Sequence, residues 1–183
     1  VILATGSSVA MPPIPGIRNE KFLTVADVLG GAALPGAKVL VAGGGMTACE
    51  LADFLCEHNR IVSVVEMAPM IAADAETAPR RFLMQRLNRW SHALDFYGPC
   101  LSVFTGAKIT EFFDDGVAVE MNGEVKELRG YDSVILSLGV TPYNPLEEAA
   151  RAACGEVYVV GDAVQTGSAN NATESALAAV LSL

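Results

Sequence analysis

Basic residues are scarce in this sequence: 12 Lys and Arg stand against 21 Asp and Glu, for a formal net charge of −9. Nucleic acids and anionic membrane surfaces are held through a positive field, so neither is an expected partner. Histidine is rarer still, with two residues, His58 and His92. Neither has a carboxylate or thiol at ligand spacing, so both are expected at the surface and no metal site is assigned. The four cysteines, Cys49, Cys56, Cys100 and Cys154, form no C-x-x-C. That removes the redox dithiol and the zinc knuckle, and leaves reduced thiols packed as small hydrophobes in an expected cytoplasmic setting. No apolar run approaches the ~20 residues that cross a bilayer. No triad or acid pair stands out, so no catalytic side chain is assigned.

What is abundant is apolar surface and glycine: 51% of residues are hydrophobic and 17 are Gly. This is the profile of an α/β protein whose strands are buried on both faces. The chain opens on an apolar strand, Val1 to Ala4, ending at Gly6. Met11 to Gly36 is punctuated by Pro and Gly and reads as a linker holding a short helix, Thr24 to Leu29, with Thr24 as cap and Asp27 at the third helical position. Lys38–Ala42 reads as a strand, Met46 to His58 as a helix with Leu51, Phe54 and Leu55 on its apolar face, and Ile61–Val65 as a second strand. Together they make one βαβ unit and imply a parallel sheet. A second helix, Ala78 to Leu94, carries Phe82, Leu83, Leu87 and Trp90 on its apolar side, with Arg80, Arg81, Arg86 and Arg89 as a solvated face.

From Lys108 the period becomes two. Ile109–Phe113, Val117–Met121 and Val125–Leu128 read as an antiparallel meander turning at Asp115-Gly116 and Asn122-Gly123. A buried strand, Val134 to Leu138, ends at Gly139, and Pro142 and Pro145 close the unit. A helix near Leu146 to Ala153, a strand Val157–Val160, Gly161-Asp162 and a helix from about Ala172 complete the chain.

Gly43-Gly44-Gly45-Met46-Thr47-Ala48 fits the G-x-G-x-x-[G/A] fingerprint and lies between a strand and a helix, where its mechanism requires it. Gly43 permits the turn, Gly45 admits a pyrophosphate to the backbone, and small Ala48 lets the helix pack on the strand; the helix N-terminus offers free N–H groups and positive potential. Glu66 ends the next strand, close to the ~20 residues downstream at which an acid binds an adenosine ribose hydroxyl. No Arg or Lys lies between Glu66 and Thr77, so NADH is expected over NADPH. The bland alternatives are a ligand-free glycine turn and an exposed strand-end carboxylate. Asp162, after a buried strand, would sit at the carboxyl edge of a parallel sheet, where ligands collect.

The Ala4-Thr5-Gly6 strand end, the glycine turn with Glu50 and Glu66, Leu138-Gly139-Val140-Thr141-Pro142 and Val160-Gly161-Asp162-Ala163 occur in the order of the pyridine-nucleotide-dependent flavoprotein oxidoreductases, which the chain resembles over nearly its whole length. Through Thr24-Val25-Ala26-Asp27-Val28-Leu29 and Val64-Val65-Glu66-Met67-Ala68-Pro69 it is most similar to the C-terminal half of the NADH:flavin oxidoreductases of the 2,4-dienoyl-CoA reductase and 2-enoate reductase group. The resemblance implies a three-layer ββα FAD/NAD(P)-binding fold with remnants of a second domain: residues 1–35 a fragment of the FAD domain with its crossover, 36–143 the NAD-binding domain, and 144–183 the terminal FAD-domain fragment. It implies NAD(H) as cofactor at Gly43, Gly44, Gly45, Met46, Thr47, Ala48 and Glu66. It also implies FAD near Asp162 and Gly161, with Gly6 and Gly139 at the two domain crossings. The family's first glycine motif would precede Val1, so the missing N-terminal part of the same polypeptide is an implied partner, with FMN and an iron–sulfur cluster allowed there. The isolated chain is then expected to be inactive and unable to retain FAD. Hydride would pass from NADH to FAD and on to a domain reducing an unsaturated substrate. A disulfide-reductase module, a non-catalytic NAD- or ADP-binding module and a homo-oligomer all stay open.

Overall fold

The computed structural model describes residues 1–92 and 99–182. In chain order the elements are β1 (Ile2–Leu3), β2 (Ser7–Val9), β3 (Leu23–Thr24), α1 (Val25–Leu29), β4 (Lys38–Ala42), α2 (Met46–Glu57), β5 (Ile61–Val65), α3 (Thr77–Ser91) and β6 (Leu101–Phe104). There follow β7 (Lys108–Phe113), β8 (Gly116–Met121), β9 (Glu124–Leu128), β10 (Ser133–Leu136), β11 (Val140–Pro142), α4 (Glu147–Ala153), β12 (Tyr158–Val159), a 3₁₀ turn at Gly161–Ala163 and α5 (Ala169–Leu181). They gather into two compact units, Met11–Leu138 and Val1–Ala10 with Gly139–Leu183.

The larger unit is built on a parallel sheet in the order β3-β10-β4-β5-β6. Its central strands are continuous apolar runs because both faces are covered. Val39 and Val41 point into a cluster with Ala48, Leu51, Leu55, Leu83 and Leu87 from α2 and α3, while Leu40 and Ala42 on the opposite face are equally inaccessible. The antiparallel meander β7-β8-β9 supplies a further apolar layer, with Val117 and Val119 fully buried. β10 is last in sequence yet lies beside β4, so the strand order reverses between them. Their carboxyl ends are therefore a topological switch point, the place where open α/β sheets bind ligands.

Several expectations from periodicity change in three dimensions. Leu23–Thr24 pairs with β10 rather than staying in a linker, and the capping box closes as expected, Thr24 Oγ1 accepting from Asp27 N–H while the Asp27 carboxylate accepts from Thr24 N–H at 2.7 Å. The Thr24 hydroxyl, which donates to the same carboxylate at 2.7 Å, and then the Thr24 N–H hold the Asp27 carboxyl below its ordinary pKa. Phe54 is not on the core face of α2: it is exposed and stacks on His58 with ring centroids 4.2 Å apart. Phe82 is 62% exposed, and Leu83 and Leu87 anchor α3 instead. The first meander turn is one residue earlier than expected. Phe113 pairs with Gly116, so Asp114 and Asp115 form the loop, and a Cβ on Gly116 would lie 1.9 Å from the Leu128 carbonyl oxygen. Asn122 and Gly123 both have positive φ, 53° and 79°, as a tight hairpin turn requires. β6 escaped the sequence reading, and the stretch of α3 expected to reach Leu94 passes outside the described residues.

α2 and α3 are also joined by a polar bridge that no periodicity announces. Asp53 is 7% exposed; its carboxylate accepts from Arg86 Nε at 2.5 Å and from the Trp90 indole N–H at 2.7 Å. Arg86 is therefore bound, and so is Arg80, whose Nε donates to the Ala72 carbonyl. Arg81 and Arg89 are exposed, whereas Arg80 and Arg86 are only half-buried while making these bonds.

In the smaller unit β1 pairs parallel with β12, and β2 antiparallel with β11. Pro142 thus lies in a two-stranded ribbon, where its missing N–H is tolerated, rather than simply ending a unit. α5 begins at Ala169, earlier than expected, because Ser168 caps it and Asn171 returns the bond.

Asp53→Ala leaves the Trp90 N–H without its acceptor and removes the partner of Arg86. The expected cost is about 1–3 kcal/mol, read as a lower urea midpoint at unchanged slope.

Candidate functional site

The loop after β4 turns at once because nothing else fits. Gly43 has φ 104°, and a Cβ there would lie 2.1 Å from the Ser137 carbonyl oxygen at the end of β10. A Cβ on Gly44 would overlap Glu66 Cβ at 2.7 Å and Ile71 Cγ2 at 2.9 Å. Gly45 differs: its φ of −65° suits any residue, and its open side faces the Asp74 carboxylate, Oδ2 lying 3.2 Å from where a Cβ would be. As N-cap of α2 it has no side chain to satisfy the helix's first N–H groups, so these must find their acceptors outside the helix. Ala48 is fully buried in the helix–sheet cluster.

Glu66, at the end of β5, is locked by two backbone donors. Oε2 accepts from Gly44 N–H and Oε1 from Ala68 N–H, both at 2.7 Å. A carboxylate oxygen can accept more than one hydrogen bond, so capacity for an incoming hydroxyl remains. The turn thus brings Gly43, Gly44, Gly45, Met46, Thr47, Ala48 and Glu66 together at the switch point.

The sequence reading missed the strap that lies over this turn. Ala72 N–H donates to the Gly44 carbonyl at 2.7 Å, with Ala72 at φ 50°, and Arg80 holds the strap from behind through Ala72 O at 2.9 Å and Ile71 O at 3.2 Å. Asp74 Oδ1 then accepts from Met46 N–H, the first of α2, at 2.8 Å. No fixed spacing marks these residues; only the chain's path around Ile71 reveals them. Cys49 lies beneath the turn, its thiol donating to Gly44 O at 3.5 Å, and burial pushes its pKa to about 12.

In the smaller unit, Gly6, Gly161 and Asp162 line a concavity of about 490 Å³ with the start of α5. Asp162 Oδ1 accepts from Gly167 N–H at 3.2 Å and Oδ2 from Ser7 Oγ at 3.4 Å. Gly139, at φ 92°, is not among the lining residues; its carbonyl accepts from Ala10 N–H at 3.0 Å. Among the described residues no three His, Cys, Asp or Glu side chains gather as metal ligands, and no helix is long and apolar enough to cross a membrane.

Comparison with known proteins places this geometry. Residues 1–176 match the family model for pyridine nucleotide-disulphide oxidoreductases. An NADH oxidase of Thermoanaerobacter brockii is 35% identical over 181 residues, 96% of this chain and 26% of that protein. A bilirubin reductase of Mediterraneibacter gnavus is 32% identical over 142 residues, 78% of this chain and 21% of that protein. Among solved structures, 2-naphthoyl-CoA reductase in complex with 2-naphthoyl-CoA superposes with a TM-score of 0.78 at 27% identity, covering 95% of this chain and 25% of that one. The chain spans about a quarter of the length of these relatives. A parallel sheet with a glycine turn at its switch point, an acid at the next strand end and a match over residues 1–176 lead to one assignment: the chain belongs to the pyridine nucleotide-disulphide oxidoreductase family, whose cofactors are NAD(H) and FAD.

Proposed function

We propose that this chain is the NADH-binding part of a flavoprotein oxidoreductase that passes reducing equivalents through FAD to a domain acting on an unsaturated substrate. The observation that carries it is the α2 N-terminus: an N-cap without a side chain, placed by Gly43 at the switch point and flanked by the anchored Glu66. In this reading residues 36–143 form the NAD domain, and 1–35 with 144–183 contribute to the FAD domain. The separation into units at Ala10/Met11 and Leu138/Gly139 supports a two-domain reading, although Met11–Pro35, with β3 in the larger unit's sheet, packs with the NAD-binding residues and not with the FAD-domain fragments. The names of the bilirubin reductase and 2-naphthoyl-CoA reductase relatives support an unsaturated final acceptor.

When bound, the cofactors supply the hydride chemistry. The chain's own residues bind and orient. Gly45 leaves room for a diphosphate against the backbone, and the N–H groups of the first turn of α2, with the helix dipole, favour its charge. Glu66 accepts from an adenosine ribose hydroxyl, and its negative charge opposes a 2′-phosphate. Asp162, between Gly6, Gly161 and the start of α5, is the acceptor for a polyol hydroxyl of the flavin nucleotide. Cys49 and Cys56 take no part in dithiol exchange, because burial raises both thiols far above neutral pH and suppresses the thiolate.

Calorimetry on the chain is expected to give an NADH Kd of about 1 mM or tighter and an NADPH Kd roughly tenfold weaker or more. Glu66→Gln, which removes the charge while keeping an acceptor, should bring the two values together. Tighter binding of NADPH by the unaltered chain would overturn the assignment of Glu66. The glycines should separate structure from binding. Gly43→Ala is expected to cost about 2 kcal/mol or more, since positive φ and a carbonyl clash combine. Gly45→Val should keep the melting temperature within a few degrees but abolish measurable NADH binding, and a Gly45→Val chain that binds as the parent does would remove the diphosphate from this turn.

A further inference from the structure

Asp74 occupies the position that the proposed function gives to a diphosphate. Its Oδ1 accepts from Met46 N–H at 2.8 Å, and Oδ2 lies 3.2 Å from the Cβ position of Gly45. An anion that approaches the glycine backbone and the first N–H of α2 meets a carboxylate already there. The contact is built rather than incidental, because the chain on either side of Ala72 is held at three points: Ala72 N–H on Gly44 O at 2.7 Å, Arg80 Nε on Ala72 O at 2.9 Å and Arg80 Nη2 on Ile71 O at 3.2 Å. Ile71 and Ala72 are buried, whereas Asp74 itself is exposed. The strap is therefore fixed at Ile71 and Ala72 and turns back at Ala75, whose N–H donates to the Ala72 carbonyl at 3.3 Å, so displacing the exposed Asp74 carboxylate needs only a side-chain rotation toward solvent.

We propose that Asp74 is a built-in competitor for the dinucleotide: in the free protein its carboxylate caps α2, and the diphosphate must displace it from Met46 N–H. The inference rests on the assignment of the glycine turn as the diphosphate site. A helix N-terminus with no cap is destabilised by its unsatisfied donors, so the free protein gains a stable turn from Asp74, and the ligand takes over the same donor when it binds. Two anions at one helix end repel, so the carboxylate and the diphosphate exclude one another there. The cost appears as weakened affinity, since a ligand must work against whatever the free state has already satisfied. Glu66 is a different case: its oxygens face Gly44 and Ala68 N–H, not the α2 donor, so it needs no displacement.

The test compares the unaltered chain with Asp74→Asn and Asp74→Ala, using calorimetric titration with NADH, thermal melting of the free proteins and the NMR signal of the Met46 amide. Removing the charge should tighten NADH binding roughly 2- to 5-fold, the range an exposed anion at a helix N-terminus supports. The same variants should melt lower when free, most for Asp74→Ala. In the unaltered chain the Met46 amide should be protected from exchange before and after NADH is added. In Asp74→Ala it should be protected only afterwards. Equal or weaker binding by both variants, with the unaltered chain binding normally, would overturn the competitor role while leaving the diphosphate site in place. Absence of NADH binding by all three proteins would overturn both assignments.

Discussion

The close approach of Gly43 to the Ser137 carbonyl is the constraint on which the larger unit turns. With 2.1 Å between a hypothetical Cβ and that oxygen, only glycine lets β4 end beside β10 and the chain double back into α2. The consequence is positional. α2 starts at the reversal of strand order, its first N–H groups lie at the carboxyl edge of the sheet, and Glu66 arrives there from β5 because β4 and β5 are paired in register from Lys38/Ile61 to Ala42/Val65. Moving any of these would move the others, since register in a sheet buried on both faces is tightly fixed.

Much of this was legible in the sequence because the determining signals are local. A continuous apolar run such as Lys38–Ala42, a three-glycine stop and a helical pattern after it describe a βαβ turn without reference to anything distant. The Asn122-Gly123 hairpin and the Thr24/Asp27 capping box were readable for the same reason. What stayed hidden depends on contacts across long separations. Asp53 looks like a solvent residue on a helix until Arg86 and Trp90 arrive from α3. Phe54 and Phe82 look like core by residue type, yet the space beneath α2 and α3 is filled by smaller aliphatic side chains. Asp74 carries no periodic or spacing signal at all, and acquires meaning only from the path of the strap that delivers it.

The two units differ in how they treat helix starts. In the larger unit α2 begins on a glycine that has no side chain to cap it, and its first N–H is met from outside the helix by Asp74, while in the smaller unit α5 is capped internally by Ser168 and Asn171. A self-satisfied N-terminus has less to offer an outside anion, so a ligand beside α5 would be met by Asp162 and the concavity next to it rather than by free donors. The distinction explains why a glycine turn is informative in one place and a Gly-Asp pair is only suggestive in the other.

The proposed role of Glu66 also constrains how nucleotide preference could be altered in this chain. Its two oxygens hold the second glycine of the turn and the start of the strap, so the side chain proposed to meet the nucleotide's ribose also carries the local backbone. A substitution chosen to admit a different nucleotide abandons two backbone N–H groups at the same moment. Such changes should be strongly non-additive: the new side chain becomes tolerable only when neighbouring positions supply replacement acceptors. Selectivity at this site is therefore coupled epistatically to backbone satisfaction, and an evolutionary path between nucleotides would pass through the residues around Gly44 and Ala68 before it reached Glu66.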